Sequence, residues 1–195
     1  MKRPAPAHAG RLRIVAGTLR GSRIEVIDRD GLRPTSDRVR ETLFNWLAPT
    51  IEGARCLDLF AGTGALGIEA LSRGAGECTF IERDRDLARQ LEANLARLKV
   101  ANAHVVNADA MNWLSQPAHV FDLVFLDPPF ANNLWNDAAG RLETSGCLAP
   151  EAFIHVEAPL GKAFVGPPNW RLHREGVAGA VHFALYRRAP TIPLS

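Results

Sequence analysis

The sequence predicts an α/β fold: a seven-stranded, mostly parallel sheet with helices on both faces and a small β-hairpin ahead of it. Three observations predict it. From residue 55 onward, short apolar runs alternate with helical stretches, the pattern of a covered parallel sheet. The last two runs are separated only by Gly176 to Gly179, too short for a crossover helix, so they form an antiparallel pair. The forty residues before this region instead read as a hairpin and one helix.

Residues 1–10 carry no apolar pattern and read as a flexible tail. Residues 11–16 and 23–27 are short apolar stretches around a turn bracketed by Gly17 and Gly21, a hairpin signature with Arg20 at its tip and Arg23 just after. Thr35, Ser36 and Asp37 offer caps to a following helix. Its apolar face is Val39, Leu43, Trp46 and Leu47, with Arg38, Arg40 and Glu41 on or near the other side, and Pro49 ends it.

Strands are expected at 55–60, 77–82, 103–107, 121–126, 152–157, 170–176 and 180–187. The clearest intervening helix is 84–99, where Leu87, Leu91, Leu95 and Leu98 share one face. The chain thus divides into a tail (1–10), a hairpin-and-helix arm (11–50), a main domain (51–188) and a short C-terminal tail (189–195).

Hydrophobic residues make up 47% and charged residues 23%, a globular balance. No apolar run approaches the roughly 20 residues of a membrane span, and no apolar segment follows the basic start as in a signal peptide. Cys56, Cys78 and Cys147 lack metal or redox spacing and fit buried thiols in a reducing cytoplasm. The six histidines show no ligand spacing, so no metal is expected. The net charge of +2 conceals a +6 excess within residues 1–40, which points a polyanion partner at that end.

Four motifs carry chemistry. In Asp58-Leu59-Phe60-Ala61-Gly62-Thr63-Gly64 a strand ends in a carboxylate and a glycine turn opens a helix, as where backbone must approach a ligand closely. Glu82, at the end of the next strand and about 20 residues on, suits a ribose diol. These two features alone fit a nicotinamide cofactor as well as S-adenosylmethionine. Asp109 and the Ala110 N–H, after the third strand, suit an adenine ring, although Asp109 equally suits a helix N-cap.

The fourth motif decides between the cofactors. A buried strand runs directly into Asp127-Pro128-Pro129-Phe130. Two prolines fix the backbone and remove two donors, leaving carbonyls beside a carboxylate. Asp127 and the Pro128 carbonyl then accept the two N–H bonds of an amino group, while Phe130 stacks on its base.

Together, DLFAGTG, IERD, NADA and DPPF resemble the motif series of class I S-adenosylmethionine-dependent methyltransferases that modify amino groups. With RIVAGTLRGSRI and RPTSDRVRETLFNWL, residues 11–187 are similar to the bacterial 16S ribosomal RNA guanine-N2 methyltransferases. The resemblance implies a Rossmann-like methyltransferase sheet, with residues 33–40 helping to close over the cofactor. It implies catalytic roles for Asp127, Pro128, Pro129 and Phe130. Cofactor contacts are expected from Thr35, Asp58, Phe60, Gly62 and Gly64, and from Glu82, Arg83, Asp109, Ala110 and Asp127. RNA contacts are expected from Arg11, Arg13, Arg20, Arg23, Arg33 and Arg38. The implied partner is 16S ribosomal RNA in the small subunit or an assembly intermediate, met by a cytoplasmic monomer. The competing functions are an N6-adenine methyltransferase, a nicotinamide-dependent oxidoreductase and a non-catalytic RNA-binding assembly factor.

Overall fold

The computed structural model describes residues 8–27, 35–115, 119–129, 134–162 and 164–189. Arg33 and Phe130 lie outside them. Strands β1 (His8–Arg13) and β2 (Arg23–Ile27) form an antiparallel hairpin. The hairpin begins at His8, so the expected tail loses residues 8–10 to strand pairing. Leu12 pairs with Ile24 on the inward face, and Arg13 with Arg23 on the outward one.

Helix α1 (Asp37–Leu47) starts where the Ser36 hydroxyl accepts the Val39 N–H at 3.3 Å. It buries Val39, Leu43, Phe44 and Leu47. It also buries Arg40 completely, which corrects the expectation that this arginine lies on the outer side.

The main domain runs β3 (Arg55–Asp58), α2 (Ala65–Ser72), β4 (Glu77–Ile81), α3 (Arg85–Arg97), β5 (Ala103–Val106), α4 (Ala110–Trp113) and β6 (Phe121–Leu126), then α5 (Trp135–Thr144), β7 (Leu148–Pro159), β8 (Trp170–Ala178) and β9 (Val181–Arg188). The strand order is β5-β4-β3-β6-β7-β9-β8, parallel through β7 with β9 and β8 antiparallel, as the short final connection requires. Strands β3, β4 and β5 stop one or two residues earlier than expected, because their carboxyl ends turn into loops. β7 is longer at both ends because β6 and β9 pair along it.

Each sheet face carries its own core. On one, the hairpin and α1–α3 place Leu12, Ile24, Phe44 and Leu91 over Cys56, Phe80 and Phe125. On the other, α4 and α5 place Leu114, Trp135 and Leu142 over Leu57, Val124 and Ile154. Each such side chain contributes about 1.5–3 kcal/mol by leaving water.

The arm is bolted to the domain through backbone groups. The fully buried Glu69 of α2 accepts the Val15 and Ala16 N–H groups at 2.8 and 3.0 Å and the Arg73 Nε at 2.8 Å. Arg40 lies 3.7 Å from Glu69, donates to the Arg13 carbonyl at 2.9 Å and pairs with Asp37 at 2.5 Å. Asn94 of α3 accepts the Glu25 N–H at 3.0 Å and donates to its carbonyl at 2.9 Å, as a neighbouring strand would. At the tip, Gly17 adopts φ +81°, and a Cβ there would sit 1.8 Å from the Ser72 carbonyl oxygen. The tip is seated on α2, yet Arg20 stays exposed. Among the described residues, no helix is long and apolar enough to cross a membrane.

Candidate active site

The chain leaves β3 toward β4 and β5 on one side, while β6 and β7 lie on the other. A crevice opens beyond the carboxyl ends of strands at such a reversal. The glycine turn follows β3 there, Asp127-Pro128-Pro129 follows β6, and Glu82 follows β4.

Asp58 closes β3 and is 4% exposed. Its Oδ2 accepts the Gly67 N–H at 3.1 Å, tying the strand end to the first turn of α2. Burial nevertheless pushes its carboxyl up to about 7, and the neighbouring Glu82 adds to the rise. Gly64, the N-cap of α2, adopts φ +75°, and a Cβ on it would strike Leu91 at 2.3 Å. The turn between is shaped by Glu82, whose Oε2 accepts the Gly62 N–H at 2.8 Å and whose Oε1 accepts the Asp84 N–H at 2.7 Å. Glu82 is buried, which raises its carboxyl against those two bonds. Each oxygen keeps a second lone pair.

Asn107 lashes the ends of β4 and β5 together, donating to the carbonyls of Glu82 and Arg83 at 2.8 and 3.0 Å. Asp109 is exposed and caps α4, its Oδ1 accepting the Asn112 N–H at 3.1 Å. The capping role is thus present. Ala110 is buried at the first position of α4, where an N–H has no partner within the helix. Phe60 is half-buried and Arg83 exposed. Thr35 is buried immediately before the Ser36 cap.

Asp127 is half-buried, Pro128 is buried and Pro129 is exposed. Packing around the Asp127 carboxyl holds it well above the usual range, reinforced by the charges of Glu157 and Asp58. The sequence reading passed over Glu157. It sits on β7, 4% exposed, and its Oε1 lies 3.1 Å from Nε2 of the fully buried His155. The missed signal is visible in residues 154–158: two polar residues at i and i+2 in a strand whose other members, Ile154, Val156 and Ala158, are apolar.

The basic positions lie elsewhere. Arg11, Arg13 and Arg23 project from the outward face of the hairpin, with Arg20 at its tip and Arg38 on α1, all exposed. Arg13 is partly offset by Asp37 at 3.9 Å.

A family model described as Conserved hypothetical protein 95 matches residues 12–187. The ribosomal RNA small subunit methyltransferase D of Escherichia coli (strain K12) is 52% identical over 189 residues, covering 96% of each chain. The chain belongs to this methyltransferase family. The Haemophilus influenzae protein of the same name is 47% identical over 186 residues, covering 93% of this chain and 96% of its own. The solved structure of the Escherichia coli protein yhhF superimposes with a TM-score of 0.86 at 52% identity, covering 93% of this chain and all of that one. A methyltransferase needs a methyl donor, and the motif series implies S-adenosylmethionine. The crevice fits that cofactor, because the Gly62–Gly64 backbone is open to close approach and the Glu82 oxygens retain lone pairs for a ribose.

Proposed function

We propose that this methyltransferase modifies the exocyclic N2 amino group of a guanine in 16S ribosomal RNA, giving N2-methylguanosine. The observation that carries this reading is Asp127-Pro128-Pro129 at the end of β6, one strand from the glycine turn. Relatives covering nearly the whole chain are named ribosomal RNA small subunit methyltransferases, which supports the substrate class.

Glu82 takes the ribose hydroxyls, Asp109 and the Ala110 N–H the adenine, and Asp58, Phe60, Gly62, Gly64, Arg83 and Thr35 line the rest of the cofactor site. Bound there, S-adenosylmethionine supplies an electrophilic methyl group on a good leaving group. The protein's task is then to place a poor nucleophile. A guanine amino nitrogen delocalises its lone pair into the ring. Accepting its two N–H bonds at Asp127 and the Pro128 carbonyl returns electron density to nitrogen and aims the lone pair. Holding the reactants in that orientation contributes several kcal/mol, within an upper range of about 7–11 kcal/mol for ideal alignment.

The base must first leave its stack, costing a few kcal/mol. Stacking on Phe130, worth about 1–3 kcal/mol, offsets that cost. Phosphate contacts from Arg11, Arg13, Arg20, Arg23, Arg33 and Arg38 hold the RNA. The expected substrate is the small subunit or an assembly intermediate, and the enzyme acts as a monomer.

The test is transfer of a labelled methyl group to small subunits lacking the modification, with naked 16S RNA and duplex DNA in parallel. Label in the subunits supports the reading. Label confined to DNA adenine transfers the same amine chemistry to another substrate and defeats it.

A further inference from the structure

Three carboxyl groups gather near the carboxyl edge of the sheet, Asp127 and Glu157 one step beyond Asp58. Side chains alternate between faces along each strand, so Asp58 shares the face of Cys56, and Glu157 shares that of His155. His155 meets Phe125 edge-on at 6.3 Å, which puts it on the face covered by α1. Leu126 pairs in register with Val156, so Asp127 and Glu157 follow as neighbours on that same face. Asp58 lies level with Phe125 and His155, so the Asp127–Glu157 pair stands one inward-facing position beyond it, past the ends of β3 and β6.

Asp58 has its Gly67 bond and a cofactor role. Glu157 has neither, and its environment is built to hold it. The Trp135 indole donates to the Glu157 carbonyl at 2.6 Å, fixing the backbone from the opposite face. His155 holds the carboxyl, while its own Nδ1 is buried with no partner among the described residues. An unpaired buried ring nitrogen is costly, and a neutral imidazole donating from Nε2 to a carboxylate leaves Nδ1 as a bare lone pair, the less costly arrangement.

We propose that Glu157, tied to the buried His155 at 3.1 Å, is a positioning residue that acts through Asp127 and makes Asp127 the acceptor of the proton shed during amine methylation. The inference rests on Asp127 being the amine-binding group. The amine nitrogen forms its bond to the methyl carbon, and the methyl–sulfur pair departs with sulfur. An N–H pair returns to nitrogen as Asp127 takes that proton, which leaves to solvent with the product. A lone surface carboxylate is too weak a base to compete for it. One beside a fixed negative charge in a poorly solvated site is stronger. The upward displacement of the Asp127 carboxyl agrees with this arrangement. On this face the titratable and charged groups include Asp58 with Glu82 beyond it, the Cys56 and Cys78 thiols, and Glu157 with His155; Phe183 and Leu185 face them from β9, and from α1 comes Phe44, whose ring carries the Arg73 guanidinium.

The experiment compares the pH dependence of kcat/KM for wild type, Glu157→Gln and Glu157→Asp on the amine substrate that wild type methylates. Glu157→Gln is expected to move the acid limb down by about one pH unit. It should lower the plateau kcat about tenfold or more, since general-base contributions reach 10²–10⁴-fold. The KM for S-adenosylmethionine should stay within about twofold of wild type. Glu157→Asp keeps the charge and should keep the limb near its wild-type place. A role in packing alone predicts the opposite ranking, with the shortened side chain the worse variant. An unmoved limb in Glu157→Gln overturns the proposal. Independently of any RNA, carbon-13 NMR of aspartate carboxyls, assigned with Asp127→Asn, follows Asp127 in the wild-type protein. Titration well above the ordinary carboxylate range is expected, and titration within that range overturns the proposal even if neither variant folds.

Discussion

Asp127 and Asp58 stand on adjacent strands and are both displaced upward, but their consequences differ. For Asp127 the consequence is chemical. Asp127→Asn replaces one acceptor oxygen with a donor and removes the base, so kcat should fall at least about 100-fold, a larger loss than any weakening of S-adenosylmethionine binding. Single-turnover transfer and cofactor titration separate the two effects. For Asp58 the consequence is also a stability. Its folded-state value of about 7 exceeds the ordinary carboxylate value, so the folded protein holds this proton more tightly than the unfolded chain does. The resulting stability is fully present below about pH 4 and is lost as pH rises to about 7. Asp58→Asn removes that loss and still offers an oxygen to the Gly67 N–H. Urea unfolding should therefore find the variant the more stable protein at pH 8, by up to about 4 kcal/mol, and nearly equal at pH 4. Its cofactor binding should weaken. Equal stability at pH 8 would contradict the burial argument. Legibility at this scale divides the same way. Asp58, Glu82, Asp109 and Asp127 announce themselves because each lies at or just beyond the carboxyl end of a strand, within a motif. Glu157 and Arg40 do not, because their partners, His155 and Glu69, acquire meaning only once strands and helices pack.

Among the elements, the N-terminal hairpin is the least ordinary, since it adds to no sheet and is held by side chains of α2 and α3. Asn94→Ala removes both side-chain bonds to the part-buried Glu25 backbone, which should cost about 2 kcal/mol in global or local stability. Hydrogen exchange across residues 11–27 is the sensitive readout, and faster exchange there with α5 unaffected is expected. Unchanged protection in the hairpin would mean that Asn94 does not hold it. The existence of this hairpin was legible from Gly17, Gly21 and their flanking apolar runs. Its docking was not, because an asparagine inside a helix usually faces water, and only α3's packing against β2 turns Asn94 inward. Strand ends were misplaced for a related reason. Where the chain leaves the ladder depends on neighbours, as β7 shows by extending along both β6 and β9.

At the scale of the molecule, the proposed function puts catalysis in the crevice at the sheet's edge and RNA binding on the outward face of the arm. Glutamine at Arg11, Arg20 and Arg23 should weaken RNA binding, and each lost phosphate contact should reduce the slope of log affinity against log salt by about 0.7–0.9. S-adenosylmethionine affinity should be unchanged. A salt slope identical to wild type would remove the arm from the RNA interface. The fold class was the most legible property of all, because strand–helix alternation and the short final connection leave few topologies. Methylation of the small subunit needs both surfaces at once, and nucleoside analysis of methylated small subunits reads their joint product. The label is expected as N2-methylguanosine and should disappear with Asp127→Asn while the cofactor still binds. Label recovered on adenine N6, a ring nitrogen or a ribose oxygen would contradict it.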